Sequence, residues 1–201
     1  NLLGEEQSGQ IRDVGYELYQ SMLEETISKI RGGQIDVLTS MDNQWSPQIN
    51  LGVSVLIPES YVTDLDVRLG LYRRLSNLSK KVEFEGFAAE LIDRFGQLPP
   101  EVNTLLLVVR IKSVCKKAGI GKLDGGPRGA TIQFHNDKFI SPEGLVEFIK
   151  KQNGLAKIKD NKLIIKREWK KNSDKFKGAF SIARDLAEIA VSYEKNCSAK
   201  N

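Results

Sequence analysis

The chain has 201 residues, 40% of them hydrophobic, two cysteines, one histidine and a formal net charge of +4. That length suffices for a packed core without disulfides or metal, and Cys115, Cys197 and His135, scattered along the chain, write neither a zinc cluster nor a disulfide framework. No apolar run reaches the eighteen or so residues of a membrane span and no leader pattern opens the chain, so a soluble protein of the reducing cytoplasm is expected.

From Ile11 to Ile30 apolar residues recur at steps of three and four, the period of an amphipathic helix, and Gly32-Gly33 stops it. A connection runs to residue 50. Leu51, Val53 and Val55 then alternate with small residues up to Pro58, predicting a strand closed by the proline. Thr63 and Asp66 have capping-box spacing ahead of Val67, Leu71 and Leu75, which predicts a helix of about three turns. Ser79 opens another, with Phe84, Phe87, Ala88, Leu91, Ile92 and Phe95 on one stripe and Gly96 as its stop. Pro99-Pro100 starts a helix from Glu101 to Ala118 that is apolar around most of its circumference and is therefore placed at the centre of the core.

After Gly119 the period changes to two. Ala130, Ile132 and Phe134 alternate with Thr131, Gln133 and His135, behind the turn-forming run Gly125–Gly129. Ser141-Pro142 predicts the start of a helix reaching about Lys151. Strands at 155–158 and 163–166 form a hairpin through Lys159–Lys162, and a last helix runs from Asp174 to about Tyr193 with Phe176, Phe180, Ala183, Leu186, Ala187 and Ala190 inward. The expected fold is α+β: a helix-rich single domain with a small antiparallel sheet and an N-terminal helical hook. Its divisions are 1–33 for the hook, 34–50 for the connection and 51–201 for the main domain.

Charge is unevenly spread. Residues 1–149 hold 16 Lys and Arg against 20 Asp and Glu, and residues 150–201 hold 14 against 6. Two readings of the basic third stand: a solvated face, or a nucleic-acid surface in which Lys166, Arg167, Trp169, Lys170 and Lys171 make the contacts. Catalytic motifs are scarce. Gly119-Ile120-Gly121-Lys122 lacks the serine or threonine of a phosphate loop and follows a helix instead of preceding one, and His135 has no partner at ligand spacing. No catalytic residue and no metal site is assigned.

Three phrases carry a resemblance. They are Asn1-Leu2-Leu3-Gly4-Glu5-Glu6-Gln7-Ser8-Gly9 with Gly15–Tyr19; Leu56-Ile57-Pro58 and Tyr61 leading to Asp64, Arg68-Leu69 and Tyr72-Arg73-Arg74; and Glu90–Gly96 followed by Leu98-Pro99. In this order they resemble the bacterial transcription-repair coupling factors, the first phrase being similar to the translocation motif shared with RecG helicases. The opening phrase reads as the middle of that motif, so the chain is expected to be a piece of a longer protein. Residues 119–201 resemble the family in layout alone.

The resemblance implies a parent that is an ATP-dependent DNA translocase, using ATP and Mg in RecA-like lobes, displacing stalled RNA polymerase from double-stranded DNA and recruiting nucleotide excision repair. For this chain it implies a regulatory domain without a cofactor of its own, lying against a UvrB-like N-terminal module of the same protein and masking the surface that recruits UvrA. Gln7 matches the glutamine that couples hydrolysis to movement. Glu90, Asp93 and Arg94 match the intramolecular clasp, and at 3.6 residues per turn they share about 100° of helix arc. An ordinary solvated helix face would show the same pattern.

Overall fold

A computed structural model describes residues 45–53 and 56–198. The hook helix, Gln7 and most of the connection lie outside the described residues. The chain divides into two compact units, the described part of the first being Trp45, Val53 and residues 56–106 and that of the second Ser46–Gly52 together with residues 107–198.

The first unit is helical. Helix α1 (Leu65–Ser76) is capped by Asp64, whose Oδ1 accepts the Val67 amide at 2.9 Å, so the cap lies one residue beyond the predicted Thr63. Helix α2 (Lys81–Phe95) begins where Glu83 Oε2 accepts the amides of Ser79 and Lys80 at 2.8 and 2.9 Å. It ends at Gly96, at φ +87°, whose amide bonds the Ile92 carbonyl. Helix α3 (Pro100–Lys117) begins in this unit and ends in the second.

Much of the second phrase quoted above turns out to be structural. Tyr72, buried in α1, takes the Ile57 amide on its hydroxyl at 2.6 Å, and Arg68 donates to the Val62 carbonyl at 2.6 Å. The Tyr61 hydroxyl lies 3.1 and 2.9 Å from the carbonyls of Leu91 and Gly96, while its ring meets Phe95 edge-on at 5.8 Å. These bonds pin the segment before α1 to α1 itself and to the end of α2. Tyr72→Phe would strand the buried Ile57 amide, and a loss of about 1–2 kcal/mol is expected in a urea titration.

The second unit is a five-stranded sheet in the order β1-β2-β3-β5-β4 with helices. Its strands are β1 (Gln48–Asn50), β2 (Ile120–Gly126), β3 (Gly129–Phe134), β4 (Ala156–Lys159) and β5 (Lys162–Lys166). Helix α4 (Pro142–Lys151) is capped by Ser141, and α5 (Asn172–Ser198) is the last element. The sheet is mixed, since β1 pairs parallel to β2 while every other pairing is antiparallel. Of the strand expected from Leu51 onward, the described residues 51–53 are not extended into the sheet, and β1 lies just before them. Gly52, at φ +64°, donates to Asn50 Oδ1 at 3.2 Å and turns the chain out of the sheet there.

Strand β2, whose last two residues belong to the turn-forming run expected at Gly125–Gly129, is rich in glycine and buries only Ile120 and Leu123. On β3 and β5 the alternation is clean, with Ala130, Ile132, Leu163 and Ile165 turned inward. Asp160 and Asn161, both at positive φ, make the two-residue turn between β4 and β5. Asn161→Gly should raise stability by up to about 0.5 kcal/mol in thermal melts, because glycine holds that conformation without strain.

Candidate functional site

On a helical wheel the buried side of α2 is Phe84, Phe87 and Leu91. Directly opposite lie Val82, Gly86, Ala89 and Asp93, all exposed, with Ile92 and Glu85, the latter paired with Lys81 at 3.4 Å, at the edge of the same face. Val82 is 75% and Ile92 49% accessible, so Ile92 leaves the inner stripe on which periodicity placed it. Asp93 lies at the centre of this outward face. Among the described residues it has no hydrogen-bond or ion-pair partner.

Glu90 and Arg94 are occupied differently. The Glu90 carboxylate takes a two-pronged bond from Arg74 of α1, with Nη1 to Oε1 at 2.7 Å and Nη2 to Oε2 at 2.5 Å, and a third from Arg94 Nη1 at 3.0 Å. Arg74 also lies over the Phe87 ring and Arg94 over the Phe95 ring, at 5.3 and 4.8 Å. Of Glu90, Asp93 and Arg94, therefore, only Asp93 has no partner among the described residues, and Glu90 ties α2 to α1. Sequence reasoning left Arg74 out of the site. It lies 16 residues from Glu90, and no periodicity within one helix links positions on two.

The hydrogen bonds from Arg74 and then Arg94, with their charges, hold the Glu90 carboxyl at about 2, below its ordinary 4.5. Because the folded value is lowered, the contribution is full above about pH 4.5 and is lost as pH falls toward 2. Screened at a partly exposed site it amounts to about 1 kcal/mol. Urea titrations should show wild type more stable than Glu90→Gln by that amount near neutral pH, with the gap closing as pH falls through about 2.

The basic third contributes less to a site than its composition suggested. Trp169 is 8% accessible; its amide bonds the Pro127 carbonyl at 2.9 Å, and a side chain on Gly178 would come within 2.3 Å of its ring. This aromatic is packed against α5 and is not offered for stacking on a base. Phe176 is buried as well. Arg167 donates to the Lys166 carbonyl at 2.7 Å and to Gln152 Oε1, so it too is engaged internally. Lys166, Lys170 and Lys171 remain exposed.

For catalysis the described residues supply little. Cys115 is buried in α3, which pushes its thiol far up, and no cluster of metal-ligating side chains occurs among the described residues. Gly119, at φ +67°, ends α3 and leads into β2; a phosphate loop leads from a strand into a helix. No described helix is long and apolar enough to cross a membrane.

The TRCF domain model matches residues 51–145, which takes in α1, α2 and the outward face just described. The chain belongs to the TRCF domain family. It is 48% identical over 174 residues to the transcription-repair-coupling factor of Rickettsia conorii, covering 86% of this chain and 15% of that protein. It is 34% identical over 151 residues to that of Escherichia coli, covering 75% of this chain and 13% of that protein. The chain thus spans about a seventh of the length of these relatives. A crystal structure of the C-terminal domain of a transcription-repair coupling factor shares the fold at a TM-score of 0.62 and 22% identity, over 76% of this chain and 99% of that one. This TRCF chain is an α+β member, and since a match over 86% of its 201 residues necessarily takes in 119–173, its resemblance to the family beyond Gly119 lies in sequence and not in layout alone.

Proposed function

We propose that the chain is a regulatory, autoinhibitory domain of a transcription-repair coupling factor. The outward face of α2 docks on a UvrB-like module of the same protein and covers the surface that recruits UvrA. The parent is an ATP-dependent DNA translocase that uses ATP and Mg in a separate motor and acts on RNA polymerase stalled on double-stranded DNA.

The observation that carries this reading is the environment of Asp93, a carboxylate without a partner among the described residues, on an exposed helix face that also holds Val82, Ala89 and Ile92. Isolated charges and isolated apolar residues are ordinary on a surface. A charge beside apolar and small residues, with the Lys81–Glu85 ion pair at the rim, matches the make-up of docking faces, in which burial supplies affinity and the charge fixes orientation. Covering Val82 and Ile92 contributes a few kcal/mol, enough to hold a closed state that a competing contact can still open. Glu90 and Arg74 support the face from behind by fixing α2 on α1.

The test is a calorimetric titration of this chain against the isolated UvrB-like module. Saturable binding that weakens about tenfold or more in Val82→Lys/Ile92→Lys supports the reading. No binding, or equal binding by the variant, sinks it.

A further inference from the structure

In the second unit one face of the sheet is buried and the other is not, and the open face is rich in lysine. Register places Gln48, Lys122, Gln133, Lys162 and Lys159 in one row across all five strands, and Asn50, Asp124, Thr131, Ile164 and Lys157 in the next. Lys166 follows at the β5 end, level with Gly129 and Gly126. Those two glycines put no side chain on the face. A shallow depression of about 870 Å³ lies over them, bordered by Asn50, Asp124, Arg128, Thr131 and Lys166.

The charges are poorly matched within the chain. Lys122 has Asp124 at 3.5 Å, and Asp137 is engaged by Gln133. Lys157, Lys159, Lys162 and Lys166 are exposed and have no ion-pair partner among the described residues. Lys159 and Lys162 face each other directly across the β4–β5 pairing, an arrangement of like charges that destabilises a sheet. An anion lying across the row would remove that repulsion.

We infer that this open sheet face binds the phosphate backbone of a nucleic acid, without reading its sequence. The row from Lys122 to Lys159 crosses four neighbouring strands, about 14 Å, long enough to follow two or three successive phosphates. The face carries no aromatic side chain and only one large apolar one, Ile164, so neither base stacking nor an apolar anchor for a protein partner is on offer. What remains is a set of mobile ammonium groups, which suits a polyanion. The site shares Lys166 with the contacts considered from sequence around Trp169 but otherwise draws on different residues, and it is independent of the docking face of α2.

The experiment is an anisotropy titration of the whole chain against a fluorescent DNA of about 20 nucleotides, at roughly 50 and 200 mM salt. Wild type should bind weakly, with affinity falling about tenfold or more between the two salts. The variant Lys157→Gln/Lys159→Gln/Lys162→Gln/Lys166→Gln should bind at least about tenfold more weakly at the lower salt and melt no lower than wild type. A control with Lys80, Lys81, Lys150 and Lys195 changed to Gln should lose no more than about twofold. Equal losses in the two variants, or salt-independent binding by wild type, would overturn the inference. So would poly-glutamate binding the face as tightly as DNA of equal charge, which would assign it to an acidic protein segment.

Discussion

Gly129→Ala is expected to destabilise the chain by about 3 kcal/mol or more, read as a shift in the urea midpoint of the second unit. Gly129 opens β3 at φ +121°, a conformation that side chains rarely adopt. An added Cβ would also meet the Ile165 carbonyl oxygen at 2.0 Å and the Arg167 amide nitrogen at 2.8 Å. Both obstacles are backbone, so no rotamer change relieves the overlap. The chain could escape only by parting β3 from β5 at Gly129–Lys166, beside the bond from the Arg167 amide to the Arg128 carbonyl that holds the hairpin turn. Gly154→Ala is the internal comparison. Gly154 sits at φ +82° with open space where its Cβ would stand, so it reports conformational strain alone and should cost about 1 kcal/mol. Equal costs at the two positions would show that the close approach at Gly129 relaxes freely.

The helices of this chain were legible because each obeys a local rule. Ser141 caps, Gly96 stops, and Phe84, Phe87 and Leu91 repeat with the helix, while the first cap falls at Asp64, one residue beyond the Thr63 that spacing suggests. The β4–β5 hairpin was legible for the same reason, its turn residues being adjacent in sequence. Strand β1 was not, because three residues carry no readable period and its partner β2 lies some seventy residues away. Strand β2 was hidden by its glycines, and with it the parallel pairing that makes the sheet mixed. On α3, Leu107 is exposed although nearly the whole circumference is apolar, since periodicity cannot tell which side lacks a neighbour.

The site was legible to a similar depth. One helical arc brought Glu90, Asp93 and Arg94 together, but it could not show that Arg74 reaches across from α1 to claim Glu90. Nor could composition show that Trp169 is packed on Gly178 while four lysines of the same third share an open sheet face.

The unequal engagement of Glu90, Arg94 and Asp93 decides which substitution separates docking from stability. Changing Glu90 leaves Arg74 and Arg94 facing each other without their shared carboxylate, so it disturbs the α1–α2 contact as well as any docked partner. Asp93 has no such internal duty, and Asp93→Arg should leave the melting curve of this chain within about 0.5 kcal/mol of wild type. On a docked surface the same change places a cation where an anion had been received, at a cost of several kcal/mol, which exceeds what a releasable closed state can absorb. The most direct measurement is the UvrA affinity of the full-length parent, wild type against Asp93→Arg, with melting of the present chain as control. The account predicts that the variant binds UvrA at least about tenfold more tightly while the melting curve stays put. Equal UvrA affinities with unchanged melting would contradict it and return α2 to an ordinary solvated face.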